Sequence, residues 1–263
     1  MLEQNAIAPE ERGGITLPPF EAVFPAVAEA LDRDGFATIE NVVALAWLDR
    51  ARAQVEREVA VHGQKFFSLI CPAQQPGSVF ADVVGNPGLQ QLLKRLVKHA
   101  CPAAAIELGS PYNVLRVIAG KTGEDGAFQF HYDSSVITVV VPIVIPENPH
   151  GPAGQLAVFP NKRPIRRSVA VNVAEKALLQ NRFAWRRAKD QVNSAPSAHL
   201  KQLIPGNIYL FWGYRTYHGN LPCGVEALRA TLLLHLGDPH RNGLVSRAIR
   251  LARAKIEARR RGA

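Results

Sequence analysis

Four residues carry the chemistry that this sequence can do: His131, Asp133, His218 and Arg229. His131 and Asp133 stand two apart at the end of the run AFQFHYD. Side chains on an extended strand alternate faces, so residues i and i+2 project together. An imidazole and a carboxylate on one face can take neighbouring positions on one metal ion. A third ligand must then come from a distant segment. His218 lies 87 residues on, just after the strand-like run NIYLFW, and suits a neighbouring strand. Two histidines and one carboxylate on one side leave the opposite positions open. That facial arrangement suits non-haem Fe(II), with O2 and a co-substrate in the open positions.

Arg229 follows His218 by eleven residues and opens the run RATLLLHL, so one turn and one strand return it to the metal. Its planar fork matches a carboxylate in two hydrogen bonds. Thr231, two residues on, adds a hydroxyl on the same face. The pair is suited to the far carboxylate of a chelating keto-diacid. With eight His and eight Asp in the chain, one H-x-D spacing alone is weak, but only His218 among the histidines has an arginine at +11. Asn113 and Arg116 fall on the preceding strand-like run, YNVLRVIA. Asn113 is a candidate co-substrate contact, and Arg116 reads as a sheet-edge polar group. His235 and His240 show no ligand partner by spacing, and Cys223 reads as an incidental free thiol.

The elements that must position these residues fall into three stretches. Residues 1–19 read as a flexible leader, residues 20–240 as a single domain and residues 241–263 as a basic C-terminal helix. Helices are predicted over 20–34, where Gly35 stops the chain, over 44–61, and over 87–100, where Asn86 can cap and the leucines recur at i, i+3, i+4 and i+7. A short strand is expected at Phe36–Glu40. From about residue 110 to 237, short β-branched runs alternate with Gly, Pro and Asn clusters, which predicts a sandwich or barrel core. These runs include AFQFHY, VITVVVPIVI, QLAVFP, SVAVNV and NIYLFW, with a helical insertion over 174–193.

Composition narrows the setting. The net charge is +9, yet residues 241–263 alone hold eight basic residues and one acid, which leaves +2 for the other 240 residues. The body is therefore no nucleic-acid wrapper, and nucleic acid is not an expected partner. The tail reads as a solvated terminal helix, with an anionic membrane surface or nucleic acid as the alternatives. Three unclustered cysteines argue against a disulfide framework and for a reducing, cytoplasmic location. No apolar run approaches the roughly 20 residues of a spanning helix. The cluster Lys162, Arg163, Arg166 and Arg167 is either a solvated loop or a contact for an anionic substrate.

The sequence resembles the phytanoyl-CoA dioxygenase-like family of Fe(II)/2-oxoglutarate-dependent oxygenases over about residues 25–237. The resemblance is carried by ALDRDGFATIENVV, NPGLQQLLKRLV, FQFHYDSS and GNIYLFWGYRTYHGNLPCGVEALRATLLLHLG. Phe130 stands where a Trp is common in that family, and PNKR at 160–163 replaces its PGSH turn. The resemblance implies an α+β chain with a mainly β core, a double-stranded β-helix (jelly roll) with N-terminal helices packed on it. It implies His131, Asp133 and His218 as iron ligands and Arg229 as the 2-oxoglutarate clamp. The implied reaction consumes O2 and 2-oxoglutarate, releases succinate and CO2, and oxidises a C–H of a small-molecule substrate. Two other functions fit a metal-binding jelly roll: a cupin-type protein without 2-oxoglutarate chemistry, and a protein or nucleic-acid hydroxylase.

Overall fold

The structure is a computed structural model that describes residues 14–102, 108–120, 127, 129–147, 153–164, 181–224 and 226–238. Among the described residues, the first hundred positions are mainly helical, with α1 (Phe20–Asp34), α2 (Leu45–His62), α3 (Phe80–Val84) and α4 (Pro87–Ala100) separated by two short strands. Gly35 ends α1 at φ 66°, a left-handed cap that costs glycine nothing. Asn86 caps α4 by accepting from the Leu89 N–H at 2.9 Å, and Pro87 fills the first turn. Leu89, Leu92, Leu93, Leu96 and Val97 form its buried stripe.

The strands make two antiparallel sheets. The larger has the order β1-β7-β4-β9-β3-β2, from β1 (Phe36–Ile39), β7 (Ile208–Phe211), β4 (Ile137–Val144), β9 (Arg229–Leu236), β3 (Tyr112–Ile118) and β2 (Phe67–Ile70). The smaller has the order β6-β5-β8, from β6 (Leu200–Lys201), β5 (Leu156–Phe159) and β8 (Tyr217–Asn220). A fifth helix, α5 (Arg182–Ser194), lies between β5 and β6 in the chain.

Period-two alternation sorts the large sheet into two faces. One face carries Leu115, Val117, Val139, Val141, Leu232 and Leu234, which join the buried side chains of α1, α2 and α4 in one core. From the other face, Val140, Tyr209 and Phe211 pack against Leu156 and Val158 of the small sheet. The helices thus cover one side of the large sheet and the small sheet covers the other. The site lies in the space between the two sheets. Among the described residues, no helix is long and apolar enough to cross a membrane.

Several sequence expectations need correction. Residues 129–132 form no strand. Only His131 pairs, in a single bridge to His218. His218 follows the NIYLFW strand and lies on a strand of its own, as expected; that strand, β8, belongs to the opposite sheet. Part of the expected leader is seated: Ile15 is buried and bridges Val43, and Thr16 N–H donates to the Val42 carbonyl at 2.8 Å. Apolar burial and one short ladder contact fix that segment where composition suggested a loose one. The run SVAVNV, the first part of the 174–193 helix, His240 and the basic tail 241–263 lie outside the described residues.

The Asn86 amide also donates to the Ile15 carbonyl at 2.9 Å, so one side chain ties the N-terminal segment to α4. Asn86→Ala is expected to cost about 1–2 kcal/mol, read as a lowered thermal midpoint by circular dichroism.

Candidate metal centre

His131, Asp133 and His218 meet between the two sheets. One ligand atom from each lies within 4.8 Å of the others. His131 and His218 exchange both backbone hydrogen bonds, at 2.9 and 3.0 Å, and their rings stand 4.5 Å apart. Asp133 is tied by its own N–H to the Gly213 carbonyl at 3.0 Å. The Nε2 atom of His131 lies 3.6 Å from Asp133 Oδ1, and that of His218 lies 3.7 Å from Oδ2.

The ring tautomers follow from the backbone. His131 Nδ1 lies 2.9 Å from the Gln129 carbonyl, and His218 Nδ1 lies 3.1 Å from the Thr216 carbonyl. A carbonyl only accepts, so each Nδ1 carries the proton and each Nε2 lone pair is left for a metal. Aromatic packing fixes the segment that bears His131. Phe130 and Tyr132 pack with Phe159 and Tyr217, while the Trp185 indole of α5 donates to the Phe130 carbonyl at 2.8 Å.

The electrostatics suit a divalent cation. Burial opposes charge on Asp133, but the imidazoles of His218, His235 and His131 outweigh it and hold the carboxyl well below its usual range. Burial pushes His218 down to about 4, so its ring is neutral at physiological pH. A metal needs this pairing of ionised carboxylate and neutral imidazole.

Arg229 and Thr231 line the same cavity as the three ligands. Both are buried, on the face of β9 that points away from the helices. Arg229 donates from Nη2 to Asn220 Oδ1 at 3.3 Å, while its Nε and Nη1 have no partner among the described residues. Burial pushes its guanidinium down to about 10, which still leaves a cation. Unmet donors on a buried guanidinium suit a carboxylate, which the end-on edge of Nη1 and the second N–H of Nη2 can hold in two hydrogen bonds. The donor chemistry present therefore fits a metal ion at the triad and a carboxylate at Arg229.

Asn113 is not brought to this cavity. Its Oδ1 accepts from the Ala73 N–H at 3.2 Å and its Nδ2 donates to the Pro111 carbonyl at 3.3 Å, which fixes the 71–73 turn. Arg163 does not face the metal either. It is buried between the Tyr132 and Tyr214 rings, 4.0 and 4.4 Å from their centres, and donates to the Tyr214 carbonyl. Arg166 and Arg167 lie outside the described residues.

Sequence reasoning missed three participants. Arg116 is no sheet-edge group, because β3 lies between β9 and β2 and sets Arg116 opposite Thr231 in the cavity wall. His235 reaches the carboxylate, with Nδ1 3.7 Å from Asp133 Oδ2. Thr138 links the two: its hydroxyl donates to Asp133 Oδ2 and stands 3.1 Å from His235 Nδ1. Period-two counting along RATLLLHL was the available signal for His235, since it places Arg229, Thr231, Leu233 and His235 on one face.

No family model matches the sequence, and no curated relative matches it. Similar folds do occur among solved structures. A prolyl hydroxylase from Trichoplax adhaerens, in complex with a hypoxia inducible factor peptide fragment, superposes with a TM-score of 0.54 at 14% identity, covering 86% of this chain and 93% of its own. The non-heme alpha-ketoglutarate-dependent epimerase SnoN from nogalamycin biosynthesis gives 0.54 at 13%, covering 83% and 84%. The same epimerase in complex with Fe3+, alpha-ketoglutarate and nogalamycin RO gives 0.50 at 15%, with the same coverage. The chain therefore has the jelly-roll fold shared by these enzymes. Within that fold, a His-Asp-His cluster with metal-binding geometry occupies the space between the sheets.

Asp133→Ala is expected to abolish binding of Co(II), used as an oxygen-stable stand-in for Fe(II), in calorimetric titration. Thr138→Val keeps the ligand but unties its outer oxygen, and should weaken binding roughly tenfold.

Proposed function

We propose that this protein is an Fe(II)- and 2-oxoglutarate-dependent dioxygenase that oxidises, most simply by hydroxylation, an unactivated C–H of a small-molecule substrate. The observation that carries the reading is the Arg229 guanidinium, buried in the cavity of the metal triad with Nε and Nη1 unmet among the described residues. A cupin-type metal protein has no use for such a group at that place. The phytanoyl-CoA dioxygenase-like assignment is the finer form of the proposal and rests on the sequence segments around His131 and between His218 and Arg229.

His131, Asp133 and His218 would hold the iron on one side and leave the other side open. Bound Fe(II), 2-oxoglutarate and O2 supply together the oxidative decarboxylation of the keto acid to succinate and CO2, coupled to oxidation of the substrate C–H. Arg229 orients the co-substrate by gripping the far carboxylate, with Thr231 beside it on the same strand face. Thr138 fixes one oxygen of Asp133 and so decides which oxygen is left for the metal. Apolar Val140, Leu156, Phe211 and Leu233 line the same cavity and exclude water from it. Gly154 lets the guanidinium pass. It has φ 68°, and a Cβ there would stand 2.5 Å from Arg229 Cδ.

Anaerobic titration with Fe(II) and then 2-oxoglutarate tests the reading through the visible metal-to-ligand charge-transfer band. The band is expected only with both additions, and absence of a band overturns the assignment. Arg229→Ala should weaken 2-oxoglutarate binding by at least about tenfold, the loss of a charged bidentate contact, with the triad's metal affinity retained. Gly154→Ala should act in the same direction by displacing Arg229.

A further inference from the structure

Behind the metal ligands stands a stack of three side chains. Arg163 is 5% exposed, and its guanidinium lies between the rings of Tyr132 and Tyr214, 4.0 and 4.4 Å from their centres. Its Nε donates to the Tyr214 carbonyl at 2.8 Å, and the neighbouring Lys162 N–H donates to the Arg215 carbonyl at 3.0 Å. None of the three stacked residues is among the described residues that line the metal cavity.

The two tyrosines belong to the two segments that bear the ligands. Tyr132 lies between His131 and Asp133 in the chain. Tyr214 lies in the 212–216 turn. That turn supplies the Gly213 carbonyl, which accepts from the Asp133 N–H at 3.0 Å, and the Thr216 carbonyl, 3.1 Å from His218 Nδ1. The two segments are in close contact: a Cβ added at Gly213 would stand 3.0 Å from the Asp133 Cβ. A small shift of either tyrosine therefore alters the 3.7 Å between His218 Nε2 and Asp133 Oδ2.

The stack is itself held from outside. Asn161 Nδ2 donates to the Asp32 carbonyl at 3.4 Å, and Gly35, at φ 66°, leaves no room for a side chain against Pro160. The end of α1 thus fixes the 160–163 turn, and the turn fixes the guanidinium. A flat guanidinium can lie face-on to two rings while one edge donates to a carbonyl. A lysine ammonium is compact and strongly hydrated, and it cannot cover both rings.

We infer that Arg163 is a positioning residue for the metal centre. It sets the spacing between the His131–Asp133 segment and the 213–218 segment, and so the coordination geometry of the ion. It acts through Tyr132 and Tyr214, not by contact with substrate. The inference rests on the metal-binding reading of the triad.

The full chain, metal-free, is titrated with Co(II) by calorimetry, and the visible absorption of the loaded protein is recorded, because that band follows coordination geometry. Arg163→Met keeps the aliphatic stem and removes the charged plane. It is expected to weaken Co(II) binding roughly tenfold and to move the visible band. Arg163→Lys should restore only part of either. Tyr132→Leu removes one ring of the stack and should also move the band; it decides the matter if Arg163→Met is unfolded by circular dichroism. A purely structural arginine would lower the thermal midpoint of the metal-free protein and leave the affinity and the band of the folded variants at wild-type values. That result overturns the inference, and the dioxygenase reading stands if Fe(II) and 2-oxoglutarate still give their charge-transfer band. The expected shifts without a charge-transfer band would keep this inference and remove the dioxygenase reading. Failure of the wild-type chain to bind Co(II) removes both.

Discussion

The rest of the site depends on one pair of backbone hydrogen bonds, those exchanged by His131 and His218 at 2.9 and 3.0 Å. They join a segment with no other ladder partner to the edge of the small sheet. Because paired residues on antiparallel chains present their side chains to the same face, the bridge alone brings two imidazoles to 4.5 Å. Asp133 then needs only the anchor to Gly213 to reach both. Phe130 and Tyr132, on either side of His131, are buried in the aromatic cluster under α5, so the segment cannot turn over without exposing them. Position and orientation of the ligands are thus set by backbone pairing and apolar burial. The imidazoles themselves need supply none of the folding energy.

Strand β9 shows how a single run serves two purposes. Ala230, Leu232, Leu234 and Leu236 face the helices and belong to the main core. Arg229, Thr231, Leu233 and His235 face the cavity. A slip of one residue would bury the arginine among leucines and empty the co-substrate end of the site. The same strand spans the whole site: Arg229 stands at the inner end, and His235 at the outer end where a larger cleft begins. Electrostatics follow that axis. Half-buried Arg116 and buried Arg229 line the inner cavity, while the described lining of the cleft beyond Asp133 holds carboxylates, neutral polar groups and apolar side chains. The two cavities meet at Asp133 and His235.

Much of the architecture was legible in the residue pattern. The α4 helix has a capping asparagine, a first-turn proline and an unbroken leucine stripe, so local chemistry and tertiary burial agree and its bounds are those expected. Gly35 marks the end of α1 for a similar reason. The segment around His131 was misread because AFQFHY has the composition of a strand, yet its partner offers one bridge and no ladder. The bounds of β8 were not legible because Gly and Asn make YHGN a weak strand former, and it is extended because β5 pairs with it across four residues. Arg116 looked like an edge residue because its neighbours β2 and β9 are both distant in sequence.

The sequence by itself determined the inventory and its local faces. It supplied a histidine and an aspartate two apart, a third ligand before a strand, an arginine and threonine on one side of that strand, and a helical layer with one apolar stripe per helix. These follow from periodicity and from coordination chemistry, both of which act over a few residues. Only the tertiary structure decided that Asn113 is consumed in a turn, that His235 and Thr138 steady the carboxylate, that Arg163 is enclosed by two tyrosines, and that a large cleft opens beside Asp133. Those outcomes depend on which strands become neighbours and in which register. That choice is made by the summed burial of the two sheets and the helices, and no short window of the chain contains it.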